Sequence, residues 1–172
     1  MGKEQLFATF ILNRDIEIAI PADRVVEAIK AVDRLLPVPG CVPYLDGLMN
    51  LRGKVIPVIN LKKRLAMADH DYSPERKIAV VRMGGTLGGL LVEDIKDVLR
   101  VGQEMIEPIL PSLQGKRDER IVSAIIRLDD GHRLLEVLDL DLLLDQAAED
   151  EIMAGQEEAD TRQMSPEATA EA

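Results

Sequence analysis

Apolar residues along this chain come in short runs separated by turn-forming residues about every 8–12 positions, the spacing of a fold built from strands. Leu6 to Leu12 is apolar and β-prone, and Asn13-Arg14-Asp15 makes a tight turn after it. Ile16, Ile18 and Ile20 then alternate with Glu17 and Ala19, a period of two that predicts a strand with one buried face. Pro21 ends that strand. In residues 22–35, Val25, Ile29 and Val32 fall at helical spacing and Asp23 is placed to cap a helix. Pro37 and Pro39 disfavour helix in the residues before them. The reading is a short helical turn near 22–27, followed by extended chain.

Leu36 to Pro43 is a proline-rich connector. Lys54 to Leu61 reads as a strand, with Pro57 arguing for an edge position or a bulge. Leu61 to Met67 suits a short basic helix, and Ala68 to Arg76 a polar loop. Lys77 to Met83 and Leu87 to Glu93 form a predicted hairpin around Gly84-Gly85-Thr86. Ile95 to Val101 and Ile121 to Leu128 are further strands, joined by an irregular stretch containing Pro108, Pro111 and Gly115. Asp129-Asp130-Gly131 is a hairpin turn into Arg133 to Leu138, and a short helix begins near Asp139. The pattern predicts an all-β barrel or sandwich arrangement. No exact internal repeat is present.

Composition narrows the function more than the fold. The chain has 172 residues, enough for one domain with its own core, and 47% are hydrophobic. Aromatics are 2%, namely Phe7, Phe10, Tyr44 and Tyr72, so the core is aliphatic and stacking platforms for single-stranded nucleic acid are lacking. The formal charge is −10. Residues 145–172 hold nine acids and only Arg162 as a base, which leaves residues 1–144 near neutral. That segment has too few apolar residues to pack on the body. It reads as a solvated extension, helical at first and mobile beyond Gly155; the alternative is an acidic docking arm for a basic partner. No basic stripe supports nucleic-acid binding; the strongest cluster is Lys62-Lys63-Arg64. One cysteine, Cys41, forms no internal disulfide and suits the cytoplasm. No run approaches the length of a membrane span, and the N-terminus lacks a signal-peptide pattern.

Chemistry-bearing constellations are sparse. His70 and His132 fall in predicted polar turns; His70 is flanked by Asp69 and Asp71 but lacks further ligands at metal-binding spacing. The glycines of Met83 to Gly89 lack the Lys-Ser/Thr pair or the following helix of a phosphate-binding loop. Asp139 and Asp141, like Glu93-Asp94, sit at element ends, where acids cap helices. Ser73, Ser112 and Ser123 have no nucleophile-elbow context. No catalytic, metal or cofactor residue is assigned. Gly47 to Leu61 (GLMNLRGKVIPVINL) stands apart. Arg52 lies in a run of apolar residues and glycine, and Gly53 permits a turn that presents it. Two readings stand for Arg52: a charge-assisted contact with a partner's carboxylate, or an internal salt bridge that closes the fold.

This run resembles the signature of CheW-like domains: glycine, apolar residues, Asn-Leu-Arg-Gly, then a strand ending Pro-Val-(apolar)-Asp-Leu. Gly47, Asn50, Leu51, Arg52, Gly53, Pro57, Val58 and Leu61 match, and Asn60 stands where the family usually has Asp. Residues 19–29, 87–101 and 123–144 resemble three further family elements in family order, with Ala124 where glycine is common. The resemblance covers residues 5–144, taken as one CheW-like domain of two intertwined subdomains, with 145–172 as the acidic extension.

It implies a mainly β fold of two SH3-like five-stranded barrels sharing a hydrophobic core, with short helices. It also implies a non-catalytic adaptor coupling chemoreceptors to the histidine kinase CheA. Its expected partners are the cytoplasmic tip of a methyl-accepting chemoreceptor and the regulatory domain of CheA, met as a monomer that joins an array or ring, without membrane insertion or nucleic acid. Val25, Glu27 and Arg52 carry over to a receptor-binding groove between the barrels; Gly47, Asn50, Gly53 and Pro57 carry over as motif residues. Glu27 and Arg52 could also pair with each other. The alternatives are a family adaptor of a non-flagellar chemosensory pathway and, from a different class, a small-ligand-binding β-barrel protein or enzyme.

Overall fold

The computed structural model describes residues 2–110 and 121–144. Pro111 and Gly115 of the irregular connector, and the acidic segment 145–172, lie outside the described residues. The strands are β1 (Glu4–Ile11), β2 (Glu17–Pro21), β3 (Val25–Lys30), β4 (Leu45–Leu51), β5 (Lys54–Asn60), β6 (Lys77–Met83), β7 (Thr86–Val92), β8 (Asp94–Gly102), β9 (Ile106–Pro108), β10 (Val122–Leu128) and β11 (Arg133–Leu138). One short helix, α1 (Leu61–Arg64), follows β5.

The strands form two sheets. One has six strands in the order β8-β1-β2-β11-β10-β9, the other five in the order β3-β6-β7-β5-β4. The five-stranded sheet comes from one continuous stretch of chain, and the two ends of the chain together build the six-stranded sheet. The fold is mainly β, as the sequence pattern implies, and in two halves, as the family resemblance implies. The three-residue β9 is the sixth strand beyond the five expected in that half.

Core positions show how the halves join. Ile18 and Ile20 of β2 face a central cluster with Phe10, Leu90, Val92 and Leu138. Ala19 between them faces the other way, into a second cluster with Phe7, Val101, Leu135 and Val137. The strand is therefore buried on both faces, not one, because it lies inside its sheet with core on either side. β6 behaves the same way: Ala79, Val81 and Met83 enter the central cluster, while Ile78 and Val80 join a third cluster with Met49, Ile56 and Val58. Each sheet thus wraps its own apolar core, and a third core is shared between them.

Local chemistry sets most boundaries. Asn13 Oδ1 accepts hydrogen bonds from the backbone N–H groups of Asp15 (2.8 Å) and Ile16 (2.9 Å), closing the β1–β2 hairpin. Asn60 caps α1 by accepting from Lys63 N–H at 3.1 Å, and Asp139 caps the turn at Leu140–Leu142 through Asp141 N–H at 3.0 Å.

The helical reading of 22–27 shrinks to one 3-10 turn, Ala22–Arg24, that follows Pro21 and has no capping bond from Asp23. Val25 to Lys30 instead pairs antiparallel with β6, and that ladder outweighs a weak helical period. β5 is an interior strand, against the edge position argued from Pro57, while a bulge, the other reading, does occur in the β4–β5 ladder, between Leu45 and Gly47. It tolerates proline because its parallel ladder to β7 starts at Val58, so Pro57 pairs on the β4 side only. The basic helix ends at Arg64 and not Met67. β4 and β9 had no predicted counterpart.

Candidate functional site

The site is built on a two-residue hairpin. Leu51 and Lys54 are the last paired residues of β4 and β5, and Arg52 and Gly53 form the loop between them. Both loop residues have positive φ, 52° at Arg52 and 86° at Gly53, the geometry of the tight turns whose twist matches paired strands. Glycine takes that conformation freely; arginine does so at a cost. Asn50 Oδ1 accepts the Gly53 N–H at 2.8 Å.

Arg52 reaches from this tip to Glu27 on β3. Its Nη1 donates to Glu27 Oε2 and its Nη2 to Oε1 at 3.0 Å, a bidentate pair. The hydrogen bond from Arg52 holds the Glu27 carboxyl below its usual range, and Glu27 in turn raises the guanidinium. The Arg52 side chain remains 72% exposed, so the pair is open to a partner. Val25 lies on the same strand, half-buried against the central core. The register of β3 on β6 shifts between Val25 and Glu27, leaving Val26 between them exposed.

β3 and β4 are the two outer strands of the five-stranded sheet, so the Glu27–Arg52 pair spans its margins. A backbone bridge also reaches β4, from the connector that follows β3. Leu36 and Leu48 exchange N–H···O bonds at 2.8 Å each. Gly47 makes that approach possible. Its φ is 146°, and a Cβ there would stand 2.7 Å from Leu36 O and 2.9 Å from Leu35 Cβ. The motif residues thus have separate tasks: Gly47 admits the connector, Asn50 and Gly53 shape the turn, and Arg52 closes on Glu27.

Sequence reasoning missed a second polar cluster. Lys62, 5% exposed at its side chain, donates through Nζ to Glu93 Oε1 at 3.0 Å and to Asp71 O at 2.5 Å, and lies 4.2 Å from the centre of the Tyr72 ring. Burial pushes the Glu93 carboxyl up, but hydrogen bonds from Lys62 and Ser73 together hold it below its usual range. Burial pushes the Tyr72 hydroxyl well up; it donates to Leu91 O at 3.0 Å and accepts from Lys62 N–H at 3.2 Å. Lys62 was legible only as part of a short basic cluster, and nothing in the sequence separates it from its exposed neighbour Lys63.

A third cluster closes one end of the six-stranded half. Arg133 bonds Glu17 (Nε···Oε2, 3.0 Å) and Asp97 (Nη2···Oδ1, 3.2 Å), Lys96 bonds Glu17 at 2.6 Å, and the fully buried Thr9 hydroxyl bonds Asp97. Burial pushes both carboxyls up, and their cationic partners, with Thr9 for Asp97, outweigh it.

The other sequence candidates stay apart. Asp69 Oδ1 accepts from Asp71 N–H at 3.0 Å, so the turn around His70 is braced by its own backbone. Asp141 binds Arg24 at 2.7 Å and Gly84 N–H at 3.2 Å, tying three turns at the junction of the halves. The glycines of 84–89 form a two-residue hairpin loop and part of β7. Among the described residues, no helix is long and apolar enough to cross a membrane.

Known proteins resemble this chain in sequence and in fold. A family model described as a CheW-like domain matches residues 7–148. The chain is 34% identical to the chemotaxis protein CheW of Bacillus subtilis (strain 168) over 109 residues, covering 63% of this chain and 68% of the relative. It is 31% identical to the chemotaxis protein CheW of Thermotoga maritima over 130 residues, covering 75% and 81%. The crystal structure of the scaffolding protein TtCheW from Thermoanaerobacter tengcongensis superposes with a TM-score of 0.73 at 28% identity, covering 86% of this chain and 96% of that one.

Proposed function

Since this chain belongs to the CheW family of chemotaxis adaptors and scaffolds, we propose that it joins the cytoplasmic tip of a chemoreceptor to the regulatory domain of the histidine kinase CheA. It does so by non-covalent contact alone, as a cytoplasmic protein recruited to receptor arrays through its partners.

The observation that carries the receptor side is the exposed, bidentate Glu27–Arg52 pair beside half-buried Val25 and exposed Val26. A receptor coiled coil offers a helix with an apolar face and flanking charges, and such a helix can lie along this surface. Val25 then supplies apolar contact. Glu27 and Arg52 fix register and exclude wrong partners more than they add affinity. Leu6, Val98 and Leu134 are exposed on the six-stranded half and give the adaptor aliphatic surface away from that pair, suited to the kinase. Aliphatic anchors make individually weak contacts, and repetition in an array multiplies them.

The experiment is titration of the purified chain with a receptor-tip fragment and with the CheA regulatory domain, followed by reconstituted coupling of receptor to kinase. Binding to both, with coupling lost in Arg52→Ala and Glu27→Ala proteins that remain folded, supports the reading. Wild-type coupling by both folded variants removes the receptor-side assignment. Failure of the wild-type chain to bind either partner removes the function.

A further inference from the structure

We infer that Asn50 is a positioning residue for Arg52: its side chain holds the β4–β5 turn in the left-handed geometry from which the guanidinium reaches Glu27. The inference rests on the receptor-side reading above for its consequence in binding, but not for its geometry.

A two-residue loop with two positive φ values leaves the N–H of its second residue without a place in the strand ladder. Here that donor is Gly53 N–H, and Asn50 Oδ1 takes it at 2.8 Å. The first loop position is held by arginine, a residue with a Cβ, at φ 52°. In an isolated hairpin such a residue would favour other turn types, which splay the strands and re-aim the tip. The Asn50 bond adds a constraint at the point where the backbone is least willing. The Asn50 side chain is committed to the turn, whereas Arg52 carries the contact. Removing the Asn50 acceptor therefore frees Arg52 to swing away from Glu27 while the paired residues of β4 and β5 stay in place.

Two measurements test this. The first needs no partner: the Glu27 carboxyl is titrated by carbon-detected NMR in the isolated chain. In Asn50→Ala its midpoint rises from the wild-type value towards that of Arg52→Ala; a midpoint equal to wild type overturns the inference. The second is binding of a receptor-tip fragment. Asn50→Ala binds roughly fivefold more weakly, Asn50→Asp, which keeps the acceptor oxygen, binds as wild type, and the Asn50→Ala/Arg52→Ala double variant binds no more weakly than Arg52→Ala alone. Losses that add in the double variant, or no rescue by Asp, overturn the inference. If Arg52→Ala binds the fragment at full strength, the receptor-side reading fails, and the Glu27 midpoint still decides the role of Asn50.

Discussion

Glu27 and Arg52 stand at opposite margins of the five-stranded sheet and grip each other through both guanidinium Nη atoms. Such an exposed pair adds little to folding. The Arg52→Ala and Glu27→Ala proteins are expected to melt within about 3 °C of wild type and to bind a receptor-tip fragment at least about tenfold more weakly. Calorimetry and titration of the same preparations check both. A large drop in melting temperature for either variant would assign the pair to fold closure.

The cluster of Glu17, Asp97, Lys96 and Arg133 makes stability depend on acid pH. Both carboxyls sit below their ordinary range in the folded chain, so the unfolded chain binds protons more readily. Their contribution is present above the unfolded carboxylate range and is lost as pH falls from there through the depressed folded values. Urea unfolding midpoints should decline as pH drops from about 5 to 3. Arg133→Ala should flatten that decline, and an unchanged slope in the variant would show that other groups control it.

Glu136 has the opposite sign. Burial alone pushes its carboxyl up, so the folded chain favours the neutral acid and charging it costs stability as pH rises through that raised value. Glu136→Gln should raise the melting temperature at pH 7 by about 2–4 °C and lose that advantage below the unfolded range of Glu. A gain that persists unchanged at pH 3 would count against the burial argument.

Lys62 is held by Glu93, the Asp71 carbonyl and the Tyr72 ring. Lys62→Met keeps the aliphatic stem and deletes the charge, leaving the Glu93 carboxylate partly buried without its cation. A loss of about 2–3 kcal/mol is expected from chemical denaturation. Because Glu93 also receives Ser73 N–H, the 68–76 loop should become more open to proteolysis. Equal protease resistance would show that the loop is anchored elsewhere.

Gly47 has a steric task. In Gly47→Ala the new methyl carbon meets the Leu36 carbonyl oxygen, and backbone cannot retreat as a side-chain end can. About 2 kcal/mol or more of stability should go, with faster hydrogen exchange at the Leu36 and Leu48 amides. Full protection of those amides would mean that the bridge tolerates a side chain at this position.

Three hairpins and most strand positions were legible in the sequence because their signals are local: Gly84-Gly85, Asp129-Asp130-Gly131 and Asn13 fix turns from their own side chains and backbone freedom. Arg52 was legible as an outlier in an apolar run, and of its two readings the internal pair is the one the structure shows, closed on Glu27. What could not be read came from distant chain. Ala19 looked like the polar-side member of an alternating strand until the six-stranded sheet acquired core on both faces. Residues 25–27 were read into a helical turn because the β6 partner of their ladder lies some fifty residues away. Lys62 is indistinguishable from Lys63 without the Tyr72 loop folded over it. Asn60 shows the same limit: it stands where the family usually has Asp, and only the fold shows that its amide donates to Asp46 Oδ2 at 3.4 Å, where a second carboxylate would be repelled.

The threading of the chain has a consequence for how the protein is born. During synthesis the five-stranded sheet can assemble as soon as Val92 has emerged, since every strand it needs is continuous in the chain. The β1–β2 hairpin, made first, must wait with β2's edge uncovered until β11 arrives to pair beside it in parallel. That edge, which carries Ile18 and Ile20, is an unpaired strand edge of the kind that recruits other chains, and a translational pause before Arg133 would prolong its exposure.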